Sequence, residues 1–196
     1  MKKRVAQALG ALLLAGALMG CAAQEAGPYV EPYELDESQR ELLSLLGIED
    51  DAMVFSFEAP EEAGRLSAHA YVLEGGAWVE NGGVSLFREE GDEPFAGELA
   101  FTRQEDRSID LALHSQGKVS FRSEPVAWDG ELLSSGGARL TQRQPAELGR
   151  EVPVAAFAED GGTALKSLDI EKIWNEPETA AGLDIVQVVT LEFAQE

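Results

Sequence analysis

Apolar positions along the chain follow three successive patterns. From Ala8 to Met19 they form an almost unbroken run behind the basic residues Lys2, Lys3 and Arg4. Residues 22–36 (AAQEAGPYVEPYELD) then carry two prolines and no periodic face, and predict a flexible tether. Next, Leu42, Leu43, Leu45 and Leu46 recur at helical spacing. Ser38 and Glu41 would form the capping box at the start of this helix, and Gly47 would take the left-handed position that ends it.

Beyond Gly47 the period becomes two. Met53, Phe55 and Phe57 alternate with Ser56 and Glu58, and the same rhythm recurs at Leu66 to Leu73, Leu99 and Phe101, Ile109 to Leu113, Val119 and Phe121, and Val152 to Phe157. Such alternation predicts half-buried antiparallel strands. Glu74-Gly75-Gly76 and Gln116-Gly117 are spaced as hairpin connections. The run Leu183 to Phe193 is β-branched and apolar on both faces over Ile185 to Val189, as a central strand covered on both sides would be. Between Lys166 and Gly182 the pattern is ambiguous. Asn175 could cap a short helix with Pro177 in its first turn and Gly182 beyond its end. The expected fold is mainly β: an antiparallel sandwich or open curved barrel of roughly eight to ten strands with one short N-terminal helix.

The apolar run Ala8–Met19 is shorter than the roughly 20 residues a spanning helix needs, and it follows a basic start, so it predicts an export signal. The signal ends in Leu18-Met19-Gly20-Cys21, which resembles the lipobox of bacterial lipoproteins. That resemblance implies cleavage behind Gly20 and a diacylglyceryl group on the Cys21 sulfur. The cysteine count agrees independently, because Cys21 is the chain's one cysteine and lipidation explains an otherwise unpaired exported thiol. Two acyl chains make a stable anchor where one gives only marginal binding. The expected organisation is a signal peptide at 1–20, lipidated Cys21 and tether at 21–36, and a single β-rich domain at 37–196. The expected location is the extracytoplasmic face of the cell membrane.

Residues 1–20 hold three of the 15 basic residues and none of the 36 acidic ones, so the remainder has a formal charge of −24. A surface that acidic excludes nucleic acid as a partner, because binding a phosphate backbone needs clustered cations that release counterions. Solubility beside an anionic surface explains the charge more simply than cation affinity does. In order along the chain, Glu41 to Ile48, Val54 to Phe57, Leu73 to Trp78, Glu151 to Val154 and Val189 to Phe193 resemble lipoproteins of Gram-positive gut bacteria that have no assigned activity. The resemblance therefore implies an anchor and no reaction.

Few residues carry a recognisable chemical motif. His69 and His114 fall on polar strand faces without an H-x-H or H-x-x-x-H partner, and read as surface residues. Ser115-Gln116-Gly117-Lys118 matches S-x-x-K, but it spans a predicted hairpin and lacks the companion elements of penicillin-recognising enzymes. The acidic clusters Glu49-Asp50-Asp51, Glu61-Glu62, Glu89-Glu90-Gly91-Asp92-Glu93 and Glu159-Asp160 lack the calcium-loop spacing and read as solvated charge, so no metal or cofactor is expected. Trp78, Trp128 and Trp174 each lie near a predicted strand end, where they would either plug the core or offer ring faces to a sugar. The leading expectation is a non-catalytic envelope module that binds a protein or wall component. The alternatives are a carbohydrate-binding module using the three tryptophans and an envelope hydrolase using acids from the clusters.

Overall fold

The computed structural model describes residues 27–49, 51–89, 91–162 and 167–195. The expected signal peptide, Cys21 and the first part of the tether lie outside these residues. No described helix is long and apolar enough to cross a membrane.

The described residues form a two-layer antiparallel sandwich. One sheet has six strands in the order β7 (Lys118–Arg122), β6 (Ile109–His114), β5 (Ala96–Arg103), β2 (Ala52–Glu58), β1 (Tyr29–Pro32) and β9 (Gln144–Pro145). The other has five in the order β4 (Ala77–Phe87), β3 (Arg65–Glu74), β11 (Ile185–Ala194), β10 (Glu151–Asp160) and β8 (Ser134–Arg139). Alternation sends Phe55, Phe57, Leu99, Phe101, Leu111 and Leu113 inward from the first sheet. They meet Leu66, Val189, Leu191 and Phe193 of the second, and most of these side chains are fully buried. At about 1.5–3 kcal/mol for each large apolar side chain removed from water, this layer is the main favourable term in a fold without disulfides. β11 is central and buried on both faces, as its composition predicts. The turn between β3 and β4 has Gly75 at φ 58° and Gly76 at φ 86°, the two positive values that a two-residue hairpin of right-handed twist requires.

Tyr29–Pro32, expected within the tether, is β1: Val30 is buried, and the strand pairs with β2 from Tyr29↔Glu58 to Pro32↔Phe55. The sandwich therefore begins before residue 37, and any tether is shorter than expected. α1 (Glu37–Leu45) is capped by Asp36 and Gln39 rather than by Ser38 and Glu41. The Asp36 carboxylate accepts from the Gln39 N–H at 2.8 Å, and the Gln39 side chain returns a bond to the Asp36 N–H at 2.8 Å. Ser38 instead donates its hydroxyl to Asp36, and these bonds hold the Asp36 carboxyl below the usual carboxylate range. At the other end, Gly47 has φ 72°, its N–H reaches the Ser44 carbonyl, and the Ile48 N–H reaches that of Leu43. This paired pattern closes the helix with Leu43 and Ile48 on one side.

Between β10 and β11, α2 (Ile170–Asn175) precedes a 3₁₀ turn at Pro177–Ala180. Asn175 thus ends one helix instead of capping the next. Its expected capping role falls to Glu176, which makes no side-chain cap bond, while Gly182 follows the turn at φ 96°.

Candidate functional site

Each sheet turns one face outward, and the two outer faces are treated differently. On the five-stranded sheet, Ala156 and Ala158 of β10 and Val186 and Val188 of β11 are covered by Ile173 of α2 and Ala180 of the 3₁₀ turn. Trp78 and Trp174 are brought together here, stacked with ring centroids 5.5 Å apart and planes 29° apart. The Trp78 indole donates to the Trp174 carbonyl at 3.1 Å, and Tyr71 packs on Trp174 at 5.1 Å. The two tryptophans therefore pin α2 to the sheet. Trp128 does not join them: it lies between β7 and β8, 39% exposed, with its indole against Gly130.

Beside these aromatic rings is a patch of paired ionisable groups. His69 on β3 holds Glu80 through Nδ1 at 3.0 Å, and its Nε2 lies 3.8 Å from Glu192. Arg65 holds the same Glu192 carboxylate at 3.3 Å. Gly83 makes room for the pair, because a Cβ there would stand 2.9 Å from the His69 ring and 3.0 Å from Glu80. The Tyr71 hydroxyl donates to Glu151 at 3.0 Å, and Thr190 donates to the other oxygen of that carboxylate at 2.5 Å. Burial, with the Glu151 charge next, pushes the Tyr71 phenol up, so it remains a donor. A histidine oriented by a carboxylate has the form of a general base. Here, however, the second ring nitrogen is buried without a hydrogen-bond partner, so no substrate reaches it. The predicted surface histidine is thus half-buried, and it braces the sheet.

The other candidates are also structural. His114 pairs with Glu98 at 2.9 Å on an exposed strand end. Ser115, in the turn after β6, exchanges bonds with the backbone of Ala96 at the start of β5. Glu159, expected in a solvated acidic cluster, points between the sheets, where it takes Arg103 at 2.8 Å and Arg107 at 2.5 Å. Burial alone would raise its pKa, but bonds from the two guanidiniums hold it below the usual carboxylate range. Gln187 completes this knot, accepting from Arg103 and donating to the Arg107 carbonyl, each at 2.8 Å. Among the described residues no group of three or more His, Cys, Asp or Glu is placed to hold a metal.

The outer face of the six-stranded sheet is open. Its register sets Val54, Ala100, Ala112 and Ser120 side by side across β2, β5, β6 and β7. This row of small side chains lies between two taller polar rows. On one side, Arg122 clasps Asp110 with two bonds of 2.5 and 2.7 Å, and Gln104 bridges Asp110 to Thr102. On the other are Glu98 and His114. Leu43 of α1 and Ile48 from its closing turn form a wall, and with the small-residue row and Thr102, Asp110 and Arg122 they line a groove of about 500 Å³. α1 has no buried residue: Leu42 and Leu45, with Leu46 just beyond its end, are 58, 80 and 63% exposed. The predicted apolar stripe thus exists but does not pack, and the groove beside it went unseen because it depends on strand register. Opposite residues share a face only once the pairing is known. No protein-family model, curated protein or solved structure matches the chain.

Proposed function

We propose that the chain is a lipid-anchored envelope protein whose sandwich is a non-catalytic binding module, with the groove beside α1 as its ligand surface. One observation carries the binding role: an apolar groove stands open on one sheet, while the ionisable groups on the other are engaged with each other. Concave apolar surfaces with a few polar groups at the rim are the usual form of a binding site, and a contiguous exposed apolar patch is otherwise a liability. The anchor rests on the basic start, the short apolar run and Leu18-Met19-Gly20-Cys21. Carbohydrate recognition by three tryptophans loses support from the mutual stacking of Trp78 and Trp174.

Two measurements test the proposal. In cells fed a palmitate analogue, the wild-type chain is expected to carry label in the membrane fraction and Cys21→Ala to carry none; equal labelling removes the anchor. The neutral apolar dye Nile red is expected to saturate one site on the purified chain. Ala112→Arg should abolish that site and Trp128→Ala should leave it. Dye binding indifferent to Ala112→Arg removes the groove.

A further inference from the structure

We infer that Asp129 is a site of spontaneous covalent rearrangement, at which the link to Gly130 moves from the main-chain carbonyl to the side-chain carboxyl carbon and leaves an isoaspartyl residue. The reaction needs no partner but water. The main-chain nitrogen of Gly130 attacks the carboxylic acid carbon of Asp129: an N–C bond forms, and the hydroxyl leaves with the amide proton as water. Water then opens the resulting succinimide ring. Opening at the main-chain carbonyl breaks the original peptide C–N bond, and the chain now runs through the side-chain carbonyl, one methylene longer. One water is lost and one gained, nothing is oxidised or reduced, and the mass is unchanged. A glycine after the acid favours the attack, because without a Cβ its nitrogen approaches closely.

Three pairs in the chain have this form: Asn81–Gly82, Asp129–Gly130 and Asp160–Gly161. Ring closure has to bring the nitrogen and the side-chain carbon into attacking geometry, so a bond that holds either group elsewhere opposes it. The fold restrains two of the pairs. Asn81 lies in β4, where its side-chain amide donates to the Glu124 carbonyl at 2.8 Å and its own carbonyl accepts from the Glu124 N–H at 3.2 Å. The Phe121 ring covers Gly82 so closely that a Cβ there would run into it. At Asp160–Gly161 the nucleophile itself is engaged: the Gly161 N–H donates to the Asp184 carboxylate at 2.7 Å, and the Asp160 carboxylate accepts from the Gly162 N–H at 2.8 Å. Asp129–Gly130 is different. Backbone bonds stop at Val126, whose N–H reaches the Asp106 carbonyl at 3.2 Å, and resume at Leu133, whose N–H reaches that of Asp160 at 3.0 Å. Between them the chain bends at Gly130, Asp129 and Gly130 are both exposed, and neither takes a hydrogen bond among the described residues.

The test ages the whole chain in detergent at neutral pH, once folded and once in urea, and then digests it with trypsin. Cleavage after Arg65, Arg88, Arg122, Arg139, Arg150 and Lys166 puts the three pairs on separate peptides, 66–88, 123–139 and 151–166, and Asp129 is the one Asp or Asn in the second. The isoaspartyl form of each peptide separates by reversed-phase chromatography and accepts a labelled methyl group from an isoaspartyl methyltransferase. Each site is judged by its folded rate against its own rate in urea, which removes the intrinsic difference between Asn and Asp. Asp129 is expected to convert in the folded chain at close to its urea rate, while Asn81 and Asp160 fall at least severalfold below theirs. Asp129→Glu, which lengthens the side chain and so enlarges the ring that must close, is expected to remove the methyl label from peptide 123–139 with an unchanged circular dichroism spectrum. Similar folded-to-urea ratios at all three sites, whether high or low, overturn the inference. A ratio at Asp129 below that of Asn81 or Asp160 overturns it too, as does label on peptide 123–139 that survives Asp129→Glu.

Discussion

The two helical segments of this sandwich lie against opposite outer faces and use their apolar residues in opposite ways. α2 is six residues long, yet it buries Ile173, stacks Trp174 on Trp78 and seals Val186 and Val188 beneath it. α1 is nine residues long, with capping bonds at one end and a paired closure at the other, and it buries nothing. Good local capping therefore does not report whether a helix is part of the core. What distinguishes the two is the strand face below. Under α2 it is a continuous apolar surface, whereas under α1 it is a row of small residues between polar ones. The first face is used up in holding the fold, and the second is left uncovered.

The largest expected effect comes from uncovering the closed face. Trp174→Ala removes the ring that bridges Tyr71 and Trp78 and opens a cavity over β11. We expect a loss of about 3 kcal/mol in urea unfolding, near the lower end for large-to-small aromatic changes because the ring is half-buried. A loss below about 1 kcal/mol would mean that α2 covers its face only loosely.

Next in size is the buried knot between the sheets. Because Glu159 has a lowered pKa in the folded chain, its charge stabilises the fold above the ordinary unfolded value of about 4.3. That contribution is lost as pH falls through the lower folded value. Glu159→Gln leaves Arg103 and Arg107 without their shared carboxylate and is expected to cost about 2–3 kcal/mol at neutral pH. It should also flatten the acid limb of a stability–pH profile below about pH 4. An unchanged acid limb would show that this pair does not set acid sensitivity.

How far the sequence foretold these arrangements depended on whether a feature is local in the chain. β2, β3, β5, β6, β7 and β11 were legible because each alternates or fills with apolar residues, and the Gly75-Gly76 turn because both positions need positive φ. β1 was hidden by Pro28 before it and Pro32 at its end and by having a single buried side chain, Val30. β8, reading SSGGAR, has almost nothing to bury and exists through its pairing with β10. At the sites, the sequence grouped Trp78, Trp128 and Trp174 by type alone, and only two of them meet. It placed Glu159 in a solvated run, because Arg103 and Arg107 lie 56 and 52 residues away. The groove is a matter of register across four strands, to which no window along the chain gives access.

The smallest stability effect should be on the open face. Leu45→Ser and Leu46→Ser change side chains that touch little, so each is expected to move stability by less than about 0.5 kcal/mol. A loss above about 1 kcal/mol would show that the leucines belong to the core after all and would close the gap between the two helices.

The central claim, that the face beside α1 is kept open for an occupant, is tested most directly by cysteine accessibility in the intact envelope, since Cys21 is the native chain's one cysteine. Ala112→Cys, Leu45→Cys and Trp128→Cys would each be labelled with a maleimide, once as purified protein and once in cells. The account predicts that Ala112→Cys and Leu45→Cys react markedly more slowly in the envelope than when purified, while Trp128→Cys reacts at the same rate in both. Equal rates at all three positions in both settings, or slowing confined to Trp128→Cys, would contradict it.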